Sequence, residues 1–340
     1  MKVLLRADAS PVQGTGHVMR CLTLSEELLR RGHEVVLMTN FSEVEWLEQV
    51  IGKSNTEVCR VRQHELPIDV CISLAPDVVV TDSYEIEAER ISLLARKIPV
   101  LSIVDGDTRG IVVTGYLDHN LGAELEPWPD ETSGRLLAGS KFALIRDAVL
   151  DRKRKQPWVF QGAVPHIVAV MGGSDPTGTI IDVSQALKSF QGRCTATVVA
   201  SQQWFEQVQA LLGKLDGFEI ISPTTELPRI LASADIAISA SGTSAWELCS
   251  LGIPSLLIAV VENQSQSLQR MIESKLVLGI DLTRGGNQDF TSQVETMVLR
   301  LIEDNELRER LSLECTNYFD GLGKVRVINY LEKIINKQDV

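Results

Sequence analysis

This sequence has no surplus of positive charge: 33 lysines and arginines stand against 45 aspartates and glutamates, a formal net charge of -12. That balance excludes broad electrostatic capture of nucleic acid or of an anionic membrane. It leaves room for a local anion site, because backbone amides and helix ends add no formal charge. The six cysteines lie scattered at 21, 59, 71, 194, 249 and 315, with no CxxC pair. Such spacing gives neither a disulfide framework nor a zinc site, and it suits a reducing cytoplasm. No apolar run reaches the roughly 18 residues of a membrane span, and no signal-peptide pattern precedes the first strand. Stable membrane insertion is not expected, and the expected location is cytoplasmic.

What is present is the composition of a soluble globular protein, 44% hydrophobic and 23% charged, with the length for two domains. Apolar strands alternate with helical patterns almost from end to end. In the first half, strands are predicted near Lys2–Arg6, Glu34–Thr39, Glu57–Val61, Asp77–Thr81 and Val100–Val104, with helices near His17–Arg31, Val44–Ile51 and Ile86–Arg96. The pattern loosens from Ile111 to Arg146. The segment 151–165 holds Arg152-Lys153-Arg154-Lys155, two prolines and a glycine, and it reads as a solvated linker. A second strand–helix series follows from His166, with a closing helix at Arg326–Ile335. The fold class is therefore α/β: an N-terminal Rossmann-like domain over 1–150, a linker over 151–165 and a C-terminal Rossmann-like domain over 166–340. Parallel sheets covered on both faces, facing each other across a cleft, are expected.

Ligands of such sheets sit beyond the carboxyl ends of the strands. Four stretches fall there. The first, Asp8 to Arg20, joins an apolar run to a helix through Gly14 and Gly16 and carries His17 at the helix start. Its amides favour an anion, and a neutral imidazole in such a mouth can accept a proton. Asp8 is a candidate to orient that imidazole, with a turn cap as its other role. Asp82 and Asp105 follow strands in the same domain and are expected to line the same crevice. The second stretch, Met171-Gly172-Gly173-Ser174-Asp175-Pro176, brings backbone close to an oxyanion and places Pro176 in a first helical turn; a tight strand-to-helix turn is the structural alternative. The third runs Ser241-Gly242-Thr243-Ser244 into a helix with Glu247 one turn on, suited to a phosphate and a ribose diol, or simply to N-capping. The fourth, Glu262-Asn263-Gln264, ends a strand with polar groups for a sugar or nucleotide edge; a helix cap by Asn263 is its alternative.

These motifs together resemble the UDP-sugar hydrolase family of pseudaminic acid biosynthesis: Arg6-x-Asp8-x-Ser10, Gly14-x-Gly16-His17-x-x-Arg20, Gly172-Gly173-Ser174-Asp175, Ser241-Gly242-Thr243-Ser244-x-x-Glu247 and Asn263-Gln264. That family includes spore-coat polysaccharide proteins and is related to the GT-B glycosyltransferases. The resemblance spans essentially the whole chain, including Phe142-Ala143-Leu144-Ile145-Arg146. It implies a GT-B-like fold, a UDP-linked amino or deoxy sugar as substrate, and His17 as catalytic base. It implies nucleotide and phosphate contacts from Gly14, Gly16, Gly172, Gly173, Ser174, Ser241, Gly242, Thr243, Ser244 and Glu247. Sugar contacts are expected from Arg20, Asp82, Tyr84, Asp105, Asn120, Asn263 and Gln264. No metal and no cofactor is expected. The sequence departs from the family at Val104-Asp105-Gly106-Asp107 and Asp118-His119-Asn120, on the sugar side. Hydrolysis is the leading reading. Transfer to an acceptor hydroxyl or amine is the second, and a non-catalytic nucleotide-sugar binding protein the third.

Overall fold

The computed structural model describes every residue except 11–13, 42–43, 133–134, 154–161, 163, 174, 286–288 and 337–340. The chain divides into two compact units, Met1–Arg146 with Gly321–Val340, and Asp147–Asp320.

In the first unit the strands are β1 (Lys2–Ala7), β2 (Glu34–Thr39), β3 (Glu57–Arg60), β4 (Val78–Asp82), β5 (Val100–Ile103), β6 (Gly115–Asp118) and β7 (Leu136–Ala138). Between them run α1 (Gly16–Arg30), α2 (Glu45–Lys53), α3 (Ile68–Ser73) and α4 (Ala88–Ala95). The seven strands pair in parallel in the order β3-β2-β1-β4-β5-β6-β7. Strand residues alternate between faces. Val3, Leu5, Val35, Leu37, Val78 and Val80 pack on one side with Val18, Leu24 and Leu28 of α1. Leu4, Val36, Met38 and Val79 pack on the other with Ile91 and Leu94 of α4. Both faces are buried, which is why the strands read as continuous Val/Leu runs.

In the second unit α5 (Asp147–Leu150) leads to β8 (His166–Val170), β9 (Thr195–Val199), β10 (Phe218–Ile221), β11 (Ile236–Ala240), β12 (Ser255–Ala259) and β13 (Leu278–Asp281). Its helices are α6 (Thr179–Lys188), α7 (Phe205–Leu212), α8 (Leu227–Ala232), α9 (Thr243–Leu251), α10 (Glu262–Glu273), α11 (Phe290–Glu303) and α12 (Asn305–Tyr318). The six strands pair in parallel in the order β10-β9-β8-β11-β12-β13. Each sheet therefore reverses its strand order next to its first strand: between β1 and β4, and between β8 and β11. Such reversals open the crevices where open α/β sheets bind ligands.

Two boundaries differ from the sequence expectation. The first unit ends at Arg146, and Asp147–Leu150, expected in the first domain, opens the second. The closing helix α13 (Gly323–Ile335), expected in the second domain, belongs to the first. Its Val327, Ile328 and Leu331 join the core that α1 and the sheet build. Lys324 reaches Glu26 at 2.6 Å, and Arg31 reaches Glu332 at 2.9 Å. A Cβ at Gly323 would lie 2.1 Å from the Ala143 carbonyl oxygen, so only glycine permits this docking. Among the described residues no helix is long and apolar enough to cross a membrane.

Candidate active site

Ser10 and Gly14 lie side by side between β1 and α1. They exchange backbone hydrogen bonds, and Gly14 takes φ +82, a value that glycine reaches without strain. Gly16 and His17 then open α1 with no side-chain cap and no acid in the first turn. His17 and Arg20, three residues apart, share a face of the helix. Both reach Asp82, the last residue of β4, which lies beside Ala7 in the parallel register.

The resulting cluster is buried and closely hydrogen-bonded. His17 Nδ1 lies 2.6 Å from Asp82 Oδ1. Arg20 donates from Nε to Oδ2 at 2.7 Å and from Nη2 to Oδ1 at 2.6 Å. The 2.9 Å approach of Arg20 Nη2 to His17 Nδ1 follows from both groups converging on one oxygen. With the guanidinium as donor, the carboxylate selects the imidazole tautomer that carries its proton on Nδ1. Nε2 has no hydrogen-bond partner among the described residues and presents its lone pair. Burial alone would raise the Asp82 carboxyl, but the charges of Arg20 and His17 and their hydrogen bonds hold it well below the ordinary range. Burial likewise disfavours the Arg20 charge, and Asp82 and Asp105 overcome that cost.

Around this cluster stands a ring of polar groups from the β4, β5 and β6 ends. The Tyr84 ring meets the imidazole edge-on, with centroids 4.8 Å apart and an 80° interplanar angle. Its hydroxyl donates to Asp105, whose other oxygen accepts from Asn120 Nδ2 at 2.6 Å. Asn120 Nδ2 also reaches Asp118 Oδ1 at 2.8 Å. Arg20 Nη1 lies 3.3 Å from His119 Nε2. The expected sugar residues Arg20, Asp82, Tyr84, Asp105 and Asn120 thus come together with His17 in one network.

The roles of two aspartates change. Asp8, a candidate partner of His17, is engaged elsewhere: Arg6 binds it in bidentate fashion at 2.5 and 2.7 Å, and the amides of Asn40 and His64 donate to it at 2.8 Å. Residues i and i+2 of an extended chain point the same way, which brings Arg6 and Asp8 together. Asp82, expected to contact sugar, is the carboxylate that holds the imidazole.

Asp118 and His119, from the stretch expected on the sugar side, belong to the network too; His119 is a candidate sugar contact from the sequence, and Asp118 has no role assigned there. Burial and the neighbouring Asp105 push the Asp118 carboxyl up to about 6. Burial and the Arg20 charge push the His119 imidazole down to about 4. The two act oppositely on stability. Asp118 is the more protonated in the folded state, so its contribution is lost as pH rises through about 6. His119 is the less protonated, so its contribution is lost as pH falls through about 4. Each is worth roughly 3 kcal/mol, and between those limits they cancel. His119→Gln should break the balance: against the parent, the variant should lose on the order of 2 kcal/mol between pH 4 and 6.5 in urea unfolding. Parallel pH profiles of the two proteins would refute the opposed titrations.

The second unit places its motifs at its own crevice. Gly172 ends the β8 turn at φ +79 with open space where a side chain would point. The expected phosphate contact at Ser174 lies outside the described residues. Asp175 caps α6 through the amides of Thr179 and Ile180 at 3.1 and 3.0 Å. Pro176, expected in the first helical turn, therefore stands outside the helix, which starts at Thr179. At α9 the opposite holds. Gly242, which has no side chain to cap with, occupies the cap position, no side-chain bond to the first α9 amides is present among the described residues, and Thr243 and Ser244 open the helix. The Ser241 hydroxyl is buried without a hydrogen-bond partner among the described residues, a state that costs about 1–3 kcal/mol. Glu247 is buried one turn into the same helix. Asn263 and Gln264 lie inside the first turn of α10, behind Val261 at its cap position. Gln264 accepts the Val260 amide at 3.0 Å, and its Nε2 lies beside Gly242. Among the described residues no cluster of histidine, cysteine and acidic groups is arranged to hold a metal ion.

Two Rossmann-like parallel sheets, each with candidate ligand groups at its reversal point, define a GT-B-like fold. Residues 167–276 match the Glycosyltransferase family 28 C-terminal domain. Over 99% of its length the chain is 22% identical to the whole spore coat polysaccharide biosynthesis protein SpsG of Bacillus subtilis (strain 168). The crystal structure of Acinetobacter baumannii MurG superposes with a TM-score of 0.66 at 15% identity, over 98% of this chain and 99% of that one. The UDP-GlcNAc 2-epimerase of Neisseria meningitidis bound to UDP-GlcNAc gives a TM-score of 0.68 at 16% identity, over 98% of this chain and 100% of that one.

Proposed function

We propose that this chain is an enzyme that cleaves a nucleotide-activated sugar, UDP-linked and of the amino or deoxy class, at the anomeric carbon and passes the sugar to water. The reading is carried by the buried 2.6 Å contact between His17 Nδ1 and Asp82, with Nε2 left unengaged. A base of this kind takes the proton of a water molecule as its oxygen attacks the anomeric carbon. The bond from that carbon to the diphosphate breaks, and the nucleoside diphosphate leaves with the electron pair. Asp82 stabilises the imidazolium that forms.

The second unit supports the nucleotide half of the reading. The uncapped amides of α9 and the orphan hydroxyl of Ser241 suit a phosphate oxygen, and Glu247 suits a ribose diol. Gly172 and Gly173 allow backbone to approach the diphosphate. The neighbouring epimerase was solved with UDP-GlcNAc, which favours uridine as the base. The match to a glycosyltransferase C-terminal domain favours a second reading, in which an acceptor hydroxyl or amine replaces water and His17 keeps its role.

A panel of nucleotide sugars, incubated with and without acceptors, separates these readings. Release of nucleoside diphosphate and free sugar without acceptor is the expected outcome. Release only with an acceptor would overturn hydrolysis in favour of transfer. Tight binding without release would leave a binding protein.

A further inference from the structure

Arg109 follows β5 in a loop and takes φ +53, the left-handed region where a side chain is strained and glycine is not. Its amide is held there by Asp107 Oδ1 at 3.0 Å. A strained arginine where glycine fits better must repay the strain through its side chain. That side chain reaches back to the loop after β4. Nη1 donates to the Tyr84 carbonyl and Nη2 to the Ser83 carbonyl, both at 2.6 Å. The guanidinium also lies over the Tyr84 ring, 5.7 Å from its centroid, and forms no ion pair among the described residues.

The clamped tripeptide Asp82-Ser83-Tyr84 is the one that touches the imidazole twice. Asp82 bonds Nδ1, and the Tyr84 ring sets the plane edge-on. We propose that Arg109 is a positioning residue, which fixes the tautomer and orientation of His17 by tying down both its contacts through the Ser83 and Tyr84 carbonyls. The inference rests on the catalytic reading of His17, but the orientation of the ring is measurable without turnover.

Arg109→Gly is the informative variant, because it removes the guanidinium and relieves the backbone strain together, and it is expected to keep the fold. Nitrogen-15 spectra of histidine-labelled protein should show a single His17 tautomer in the parent and a mixture in Arg109→Gly. On a nucleotide sugar that the parent turns over, kcat should fall about 100-fold, the scale of a small misplacement of a reacting group, with KM within about threefold. Guanidinium chloride at low millimolar concentration should restore part of that loss, and Arg109→Lys, which keeps one donor, should fall between. An unchanged His17 spectrum would overturn the proposal, as would a loss of kcat that neither guanidinium nor lysine relieves. If the parent turns over no nucleotide sugar, the proposed function fails while the spectra still decide this inference. If Arg109→Gly does not fold, the spectra of Arg109→Lys decide it in the same way.

Discussion

His17→Asn is expected to lower turnover at least about 100-fold, the usual contribution of a general base, with nucleotide affinity unchanged within a few-fold. The substitution removes Nε2 as a proton acceptor yet leaves an amide that Asp82 and Arg20 can still bind. Their mutual bonds, at 2.6 and 2.7 Å, do not depend on the imidazole. The groups assigned to the nucleotide, from Gly172 to Glu247, lie in the other unit and are untouched. The loss should therefore appear in kcat, with KM nearly constant, because proton transfer is an interaction of the transition state. Steady-state release of nucleoside diphosphate and calorimetric titration with UDP check both halves. Near-parental turnover would remove His17 from the chemistry, whereas a matching loss of UDP affinity would make it a ligand contact.

The sheets were legible where apolar strand residues stand between clear turn signals. Most of the first five strands of the first unit and of the six of the second are rich in Val, Ile, Leu and Ala and bounded by turns, whereas the edge strand β3 reads Glu-Val-Cys-Arg with both ends exposed. β6 and β7 escaped the pattern because they lie in the stretch from Ile111 to Arg146 where prolines and glycines interrupt the apolar runs, and β6 itself includes Gly115 and Asp118. The C-terminal helix was legible as a helix but not by destination. An amphipathic stripe states that one face is buried, not against which core, and the decisive contact of Gly323 with Ala143 is long-range.

The candidate site shows the same division. His17 and Arg20 at i and i+3 announce a shared partner, but nearness in sequence pointed to Asp8. The Arg6-x-Asp8 spacing held the contrary signal, since alternate residues of a strand face one way and a buried arginine needs a carboxylate. Asp82 enters only through the register of two parallel strands 75 residues apart in the pairing of Val3 with Val78. Asp118 and His119 stood in a stretch where strand periodicity is weak, so their burial was not readable.

Asp82→Ala is expected to damage the protein twice, in stability and in chemistry. Asp82 neutralises a buried guanidinium through two hydrogen bonds, and removing one partner of such a pair costs about 3–5 kcal/mol because the other charge is left buried. Asp105, at 3.6 Å from Arg20, compensates in part and argues for the lower end of that range. The chemical loss is separate: without the carboxylate nothing selects the Nδ1–H tautomer or stabilises the imidazolium, a role worth up to about 10⁴ in rate in hydrolases that pair histidine with aspartate. The two losses part in the double variant Arg20→Leu, Asp82→Leu, which removes both charges and fills the space with apolar volume. Its unfolding free energy should recover most of the deficit, since a buried ion pair is commonly replaceable by hydrophobic groups. Its turnover should stay as low as that of Asp82→Ala. Recovery of both would make Asp82 a structural counter-ion alone; recovery of stability without activity would assign the chemical role to the Arg20–Asp82 pair that holds His17.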